Sequence, residues 1–411
     1  MTVYLLATLD TKGREAAFLR DQLVSLGVKV GLVDTGCVGA PGASADVPRE
    51  EVFAAAGTTL EALREAGDRG QAVTRAAEGA AELARRWHAE GSLSGLIALG
   101  GSAGTTIGTA AMRALPLGVP KLMLSTLASG QVGHFVGGSD ILMMSSVVDI
   151  LGLNRISRTV LTRAAQAMAG MALGAPPRAS AADRPLVAAT MFGVTTPCVE
   201  AARAVLEEAG FEVLVFHATG SGGRTLESLT AQGLLAGVLD VTTTELADEI
   251  VGGVLSAGPE RLDAAARHGV PQVVSVGATD MVNFHGPESV PPAFRERTLY
   301  RHNENVTLMR TTAAECGAIG ALIGDKLARA TGPAALMLPR QGVSAIDRAG
   351  QPFDDAEARG ALFSALREHA GAIPVFELDA HINDTEFAES AARKLIELMG
   401  AGARAPQPDD S

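Results

Sequence analysis

The glycine-rich segment at residues 96–106, LIALGGSAGTT, has the composition of a phosphate-binding loop. An apolar run typical of a buried strand leads into the glycines, and a helix is predicted to start directly after them. Glycines let backbone N–H groups approach an anion, and a helix start adds free N–H groups and a favourable dipole. The spacing is neither a Walker loop nor a GxGxxG fingerprint, and a tight turn with a serine cap is the alternative. The residues expected to contact phosphate here are Gly100, Gly101, Ser102, Gly104 and Thr105.

Three further polar loops in the first half follow the predicted strands at residues 3–7, 28–34 and 121–125. Ligands of open α/β sheets bind where the carboxyl ends of the strands converge, so we expect these loops to share one crevice with the glycine loop. Lys12 is the expected cation for a phosphate, and Asp34 could accept a hydrogen bond from a ribose hydroxyl. Asp10 is a candidate magnesium ligand, directly or through water. Loop capping is the alternative for both aspartates. The other predicted nucleotide contacts are Thr8, Thr11, Ser125, Thr126, Ala128, Ser129 and Gly130.

The second half has polar loops of a different chemical character, with histidine, acidic and amide side chains after its predicted strands. His381 is a candidate general base oriented by Asp384, because a neutral imidazole exchanges protons near pH 7. His302 is a second candidate catalytic residue, in the segment YRHNEN, which we predict to be a loop. A solvated surface at that segment, and a metal site formed by His217 with the two other histidines, are the alternatives. The predicted substrate contacts are His217, Gly222, Thr242, Asp280, Arg301, Asn303, Gly342 and Ser344.

Apolar runs of strand length alternate with helical patterns along the chain, which is typical of a parallel sheet flanked by helices. The segment GAPPRASAADRP at residues 174–185 interrupts this alternation, which then restarts. We therefore predict two α/β halves, at residues 1–175 and 186–400, joined by a linker at 176–185 and followed by a disordered tail at 401–411. Both halves open with a strand, a threonine- and glycine-bearing loop and a helix, so duplication is a hypothesis. After Pro48, one helical stretch is predicted to run to about Leu63.

Composition excludes several classes of function. The chain has 411 residues with 34 basic and 46 acidic side chains, a formal net charge of −12, and aromatic residues make up only 4%. Neither a broad cationic face nor a base-stacking surface is available, so nucleic acid is not an expected partner. The apolar start of the chain is short and lacks a signal-peptide pattern, so we expect no membrane and a cytoplasmic location. The three cysteines lack metal-binding or disulfide spacing, which fits a reducing compartment.

Four segments make the sequence similar to a known family. They are ATLDTKGREAAFLRDQL at 7–23, VDTG at 33–36, LGGSAGTTIGTAAMRALPLGVPKLMLSTLASG at 99–130 and YRHNENVTLMRTT at 300–312. The chain, from about residue 1 to 400, resembles the bacterial and plant family typified by the amino-terminal ATP-binding domain of the tomato mosaic virus resistance protein. The resemblance implies two Rossmann-like halves, ATP and magnesium bound by the first, and a homo-oligomer. Ala103 departs from the pattern, where a third glycine is expected, and alanine fits there if its φ is negative.

These observations lead to three hypotheses for the function. In the first, the protein binds ATP and magnesium through its first half and supports small-molecule chemistry in its second. In the second, it is a hydrolase or lyase for an oxo-acid-like metabolite that needs no ATP. In the third, it is a nucleotide-dependent protein-interaction module. Turnover without nucleotide distinguishes the second hypothesis, and ATP binding with negligible turnover and a protein partner distinguishes the third.

Overall fold

The computed structural model describes residues 1–175, 180 and 183–402, and the chain divides into two compact units at residues 1–179 and 180–411. Most of the predicted linker at 176–185 and of the predicted tail at 401–411 lies outside the described residues. Each unit contains a parallel sheet flanked by helices, so the predicted fold class is confirmed. Among the described residues, no helix has the length and apolar character needed to cross a membrane.

Unit 1 contains five strands and seven helices among its described residues. In chain order they are β1 (Thr2–Ala7), α1 (Leu9–Ser25), β2 (Val30–Asp34), α2 (Arg49–Ala55), α3 (Leu60–Ala66), α4 (Arg69–Ala89), β3 (Leu93–Gly100), α5 (Ser102–Arg113), β4 (Lys121–Ser125), α6 (Gly133–Val136), β5 (Leu142–Ser145) and α7 (Arg155–Leu173). The strands are all parallel, in the spatial order β2-β1-β3-β4-β5. This order is that of a doubly wound α/β sheet.

The central strands of unit 1 are covered by helices on both faces. Leu6 and Ala98 pack with apolar residues of α2, α3, α4 and α5, whereas Leu5 and Ile97 pack with residues of α1 and α7. Successive side chains of a strand point to opposite faces, so a strand covered on both sides needs an almost continuous apolar run. This requirement explains the sequence of β3, LSGLIALG.

Unit 2 contains nine strands and seven α-helices among its described residues. In chain order they are β6 (Leu186–Met191), α8 (Thr196–Glu208), β7 (Glu212–His217), α9 (Ser221–Ala231), β8 (Gly237–Thr242), α10 (Thr244–Val251), α11 (Ala264–His268), β9 (Gln272–Gly277), β10 (Met281–Phe284), β11 (Leu299–Asn303), β12 (Val306–Arg310), α12 (Ala313–Leu327), β13 (Ala334–Pro339), α13 (Ala356–His369), β14 (Val375–Leu378) and α14 (Thr385–Gly402). Its parallel sheet has the order β14-β13-β9-β8-β6-β7, and a separate antiparallel sheet has the order β10-β12-β11.

The two parallel sheets share their strand order. Counted within each unit and without the antiparallel sheet, both follow the pattern second, first, third, fourth, fifth, and unit 2 adds β14 as a sixth strand. This shared order is what the duplication hypothesis predicts.

Two predictions about local structure are wrong. In the segment at residues 300–305, predicted to be a loop, residues 300–303 lie in β11 and residues 304–305 form the turn to β12. Its strand pattern was hidden because the side chains of β11 are mostly exposed, whereas those of β12 are buried. The helical stretch predicted from Pro48 to about Leu63 is two helices, because α2 ends at Ala55 and Gly57 then adopts a φ of +69°. A positive φ interrupts a right-handed helix and favours glycine.

Candidate functional site

A crevice is expected in unit 1 where β1 and β3 lie side by side. The helix that follows β1, α1, packs on one face of the sheet, and the helix that follows β3, α5, packs on the other. The loops leaving these two strands therefore diverge at their carboxyl ends, which is where doubly wound sheets bind ligands. The structure thereby places the predicted segments 8–12 and 100–104 at one edge of the sheet.

The start of α5 presents free backbone N–H groups. Gly101 is the residue before the helix, and no side chain caps the N–H groups of the first turn in this described segment. Thr105 fixes the glycine loop, since its hydroxyl donates to Gly101 O at 2.8 Å and lies 2.7 Å from the buried Ser125 hydroxyl. The backbone of Thr126 donates to Gly100 O at 3.2 Å. These contacts fix the loop while leaving the helix start available to an anion.

The glycines of this loop have different roles. A Cβ on Gly100 would lie 2.8 Å from Gly104 Cα, and one on Gly104 would lie 3.0 Å from Leu99 O. A Cβ on Gly101 would meet nothing closer than Thr126 Oγ1 at 3.7 Å. Gly100 and Gly104 are therefore required for packing, whereas a side chain at Gly101 has room and would cover the helix start. Ser102 is exposed beside it.

The loop after β4 adds hydroxyl groups next to the glycine loop. Ser125 Oγ accepts from the Leu127 N–H at 2.9 Å, which turns the chain away from the strand. Thr126 and Ala128 are half-buried, and Ser129 and Gly130 are exposed. Of these predicted contacts, Ser125 and Thr126 are the two that the structure joins directly to the glycine loop.

The segment predicted to be a loop after β1 is the first turn of α1, which carries Thr11 and Lys12 and is preceded by Thr8. Lys12 is half-buried, and its ammonium donates to the carbonyl of Ile150, in the loop after β5. The hydroxyls of Thr8 and Thr11 lie 2.9 Å apart. Lys12 also has non-helical backbone angles, with φ −125°, so α1 is kinked at this position. Lys12 therefore lies near the carboxyl end of β1, and its contact with phosphate stays a prediction.

Asp10 and Asp34 hold the loop that follows β2. Asp34 is 2% exposed, and its Oδ1 accepts from the N–H groups of Leu9 at 3.1 Å and Gly36 at 2.8 Å. Burial raises the pKa of the Asp34 carboxyl, while these hydrogen bonds oppose the rise. Asp10 Oδ2 accepts from the N–H of Val38 at 2.8 Å. These contacts match the loop-capping alternative, and the ribose and magnesium contacts of the two residues stay predictions.

In unit 2 the structure brings several predicted residues into one buried polar layer. Ser344 donates to Asp280 Oδ2 at 2.8 Å, and both residues are at most 1% exposed. A Cβ on Gly342, whose φ is +131°, would lie 2.8 Å from His381 Cδ2. Thr242, also buried, lies at the end of the neighbouring strand β8, where it pairs with Gly277 of β9 and its hydroxyl is 2.8 Å from that of Thr195.

His381 is held by hydrogen bonds at both ring nitrogens. Its Nδ1 accepts from the Asn383 N–H at 3.1 Å, so the proton belongs on Nε2, which lies 2.8 Å from Ser344 O. Burial lowers the pKa of this imidazole. Asp384 accepts from the backbone N–H of His381 and pairs with Arg348 at 2.9 Å. The His381 ring therefore links the loop after β14 to the loop after β13. The general-base prediction requires Asp384 to orient the ring, but Asp384 contacts the backbone N–H of His381 instead.

The remaining predicted residues of unit 2 lie apart from that layer. Arg301, His302 and Asn303 are exposed on β11, an edge strand of the antiparallel sheet. His217, at the end of β7, stacks on Phe192 with 5.5 Å between ring centroids. Within the described ranges, no group of three histidine, cysteine or acidic side chains is placed to hold a metal ion.

Gly222 has a structural role at the start of α9. A Cβ there would lie 1.9 Å from His217 O. The helix can therefore approach the end of β7 only with glycine at this position.

Comparison with known proteins decides the family. Residues 1–177 match the N-terminal domain, and residues 184–399 the C-terminal domain, of a family described as "Uncharacterised protein family (UPF0261)". The chain belongs to the UPF0261 family. A UPF0261 protein of Clostridium tetani is 48% identical over 399 residues, which are 97% of this chain and 98% of that protein. A UPF0261 protein of Brucella suis is 36% identical over 398 residues, 95% of this chain and 93% of the other.

A plant relative confirms the predicted resemblance. The ToMV resistance protein Tm-1(GCR237) of Solanum lycopersicum is 45% identical over 316 residues, which are 75% of this chain but 42% of the tomato protein. Among solved structures, Streptomyces sp. SF2575 glycosyltransferase SsfS6 matches at 15% identity over 97% of this chain and 99% of that chain, with a TM-score of 0.21.

This UPF0261 chain also contains a buried charge cluster that sequence analysis missed. Arg261 is 1% exposed and donates to both oxygens of Asp240, at 2.5 and 2.7 Å, and to Glu245 at 2.7 Å. These acids raise the pKa of Arg261 against the effect of burial. Arg261 lies in a loop with no helical or strand periodicity, so the sequence held no signal for its burial.

A second missed group surrounds Asp280. Asp347 and Arg310 are buried beside it, and Arg310 lies 3.5 Å from Asp347 Oδ1. Arg359 donates to the same oxygen at 2.6 Å. Asp280 Oδ1 is buried with no hydrogen-bond partner among the described residues. The pKa of Asp280 is raised to about 7, chiefly by burial and then by the charge of Asp347.

Proposed function

We propose that unit 1 binds ATP with magnesium in the crevice between β1 and β3. The observation that carries this proposal is the uncapped start of α5, held open by Gly101 at the carboxyl edge of the sheet. Anions bind at such helix starts because several backbone N–H groups and the helix dipole act on one charge. Lys12 supplies a second positive group from the neighbouring strand end.

The donor set also suits a magnesium ion that accompanies the triphosphate. Asp10 uses Oδ2 to hold the loop after β2, and its Oδ1 accepts no hydrogen bond within the part of the chain that the structure describes. Magnesium in nucleotide sites commonly takes one or two carboxylates together with phosphate oxygens and water. In this proposal Asp10 holds the ion directly or through water, and the ion neutralises phosphate charge.

Calorimetric titration with magnesium and ATP tests the site through Gly101→Val. The added side chain has room, so the fold is kept, but it blocks the N–H groups that bind phosphate. Gly170→Val is the matched control, because Gly170 is exposed on α7 with nothing within 4 Å of a Cβ. In thermal unfolding at ATP one hundred times Kd, we expect about 2.7 kcal/mol of stabilisation in the wild type and the control. Equal binding by Gly101→Val would refute the site, as would a wild type without affinity for ATP.

Lys12→Ala separates phosphate from nucleoside recognition. We expect this variant to lose affinity for ATP while adenosine binding stays unchanged, because only the phosphates need the ammonium. An equal loss of affinity for ATP and for adenosine would contradict the assigned role of Lys12.

We further propose a small-molecule site in unit 2 near Asp280 and Ser344. Support comes from the buried, unpartnered Asp280 Oδ1 at the carboxyl ends of β9 and β13, since buried polar groups are normally hydrogen-bonded. A thermal-shift screen of sugar acids and keto acids, with Ser344→Ala beside the wild type, tests the proposal. Ser221→Ala, at an exposed helix start, is the control. Equal shifts in wild type and Ser344→Ala would place any bound compound elsewhere.

A further inference from the structure

A cavity of about 240 Å³ opens at the carboxyl end of β2 in unit 1. Leu63 and Ala72, both under 10% exposed, form an apolar side of it, and its polar groups come from Arg64, Asp68 and Arg69. Small-molecule sites have this character, with apolar walls and a few polar groups that fix the orientation of the ligand. The residues that line the cavity are Cys37, Val38, Leu63, Arg64, Gly67, Asp68, Arg69 and Ala72.

The cavity lies on the same sheet edge as the proposed phosphate site. Its wall residue Val38 donates its N–H to Asp10 Oδ2 at 2.8 Å, so the wall is bound directly to the first turn of α1. In the sheet, β2, β1 and β3 are consecutive neighbours. Adjacent strands are about 4.8 Å apart, so the carboxyl ends of β2 and β3 are separated by two strand spacings, about 10 Å. An extended nucleotide spans such a gap between its base and its terminal phosphates.

Arg64 presents a fixed planar cation to the cavity. Its guanidinium donates to Val38 O at 2.8 Å and to Cys37 O at 3.4 Å, two carbonyls of the same loop. A guanidinium held in one plane stacks on flat rings, and less freedom is lost on binding because the side chain is already ordered.

Asp68 presents a carboxylate oxygen with a defined direction. Its Oδ1 accepts from the Gln71 N–H at 3.0 Å and so caps α4. In the described parts of the chain, Oδ2 has no hydrogen-bond donor, and Arg69 beside it has no hydrogen bond or ion pair. A free carboxylate oxygen accepts from an N–H donor of the ligand, and the free guanidinium donates to a ring nitrogen.

We propose that this cavity binds the adenine ring of the nucleotide, with Asp68 accepting from its exocyclic amine and Arg64 stacking on its face. The inference rests on the proposed function, because it assigns the base of the same ligand whose phosphates lie at α5. It makes the site selective for purines with a 6-amino group. Inosine triphosphate, which carries a carbonyl at that position, would place an acceptor against the carboxylate and bind more weakly.

Calorimetric titration of the full chain with ATP, inosine triphosphate and inorganic tripolyphosphate, each with magnesium, tests the inference. Asp68→Asn keeps the helix cap, since asparagine caps as well as aspartate and the Gln71 N–H fixes the amide oxygen on its side. The amide nitrogen then faces the cavity. We expect the preference for ATP over inosine triphosphate to fall at least tenfold, with tripolyphosphate binding unchanged, because one hydrogen bond to a charged group is lost. Asp21→Asn, an exposed aspartate of α1, is the control.

Ala72→Leu is the second variant, because it fills the apolar side of the cavity. We expect it to weaken ATP and inosine triphosphate equally, by about tenfold or more, and to leave tripolyphosphate unaffected. If its melting temperature falls sharply, Asp68→Asn decides alone. Unchanged nucleotide affinities and preference in Asp68→Asn would overturn the adenine assignment, and so would a wild type that binds ATP no tighter than tripolyphosphate. A wild type that binds neither ATP nor tripolyphosphate would instead overturn the proposed function.

Discussion

Asp280→Asn should change how the stability of unit 2 depends on pH. Asp280 is 1% exposed, its Oδ2 accepts from Ser344, and its Oδ1 has no partner within the described residues. Burial and the nearby charge of Asp347 raise its pKa from 3.8 to about 7, while Arg310 acts in the opposite direction. Between pH 3.8 and about pH 7, the Asp280 carboxyl keeps its proton in the folded protein and loses it in the unfolded chain. The free energy of unfolding therefore falls as pH rises from about 4 to about 7.

The size of this effect follows from the two pKa values. The difference between 3.8 and about 7, at about 1.36 kcal/mol per pH unit, corresponds to about 4 kcal/mol for a fully buried carboxyl. The stabilisation is complete below pH 4 and is lost by about pH 7. Asparagine binds no proton over this range, so the variant lacks that contribution. Between pH 4 and pH 8, the free energy of unfolding of Asp280→Asn should rise by about 4 kcal/mol relative to that of the wild type. This change is separate from any pH-independent cost of the substitution.

Urea unfolding monitored by circular dichroism, at several pH values from 4 to 8, measures this difference. The comparison between the two proteins cancels the titration of all other groups that the substitution leaves unchanged. Asp379→Asn, which removes an exposed aspartate of the same unit, is the control and should follow the wild type. If Asp280→Asn and the wild type gave parallel pH profiles, Asp280 would be ionised throughout and the reasoning from its burial would be refuted.

Three further substitutions should change stability as measured by urea or thermal unfolding. Arg261→Met should destabilise unit 2 by about 3 to 5 kcal/mol, because it leaves the buried Asp240 without its cation; a loss below about 1 kcal/mol would contradict this. Gly222→Ala should lower the melting temperature, since its Cβ would lie 1.9 Å from His217 O, and an unchanged value would show that α9 can shift freely. Val147→Gly should stabilise unit 1 by about 1 kcal/mol, because Val147 is exposed with a φ of +65°, and any destabilisation would argue against strain there.

Local sequence patterns determined the α/β class and most strand positions. The strand predicted at residues 121–125 has the observed bounds, and those predicted at 3–7 and 28–34 end at the observed residues. A parallel strand buried on both faces must be apolar at nearly every position, so its sequence carries a strong signal. The glycine loop was equally visible, because both the strand before it and the helix after it were predicted from short-range patterns. Strand β11 had no such signal, since its side chains face solvent.

Only the tertiary structure decided which polar residues meet and what each of them contacts. Asp280, Arg310 and Asp347 come from separate elements, and their mutual burial depends on how β9, β12 and the loop after β13 pack. The same packing gave His381 two hydrogen bonds at its ring, although its acidic neighbours in sequence had suggested a general base. The sequence gives the identity and the spacing of the side chains. Hydrogen bonds and desolvation depend on distances between residues that are far apart in the chain, and a single sequence does not contain those distances.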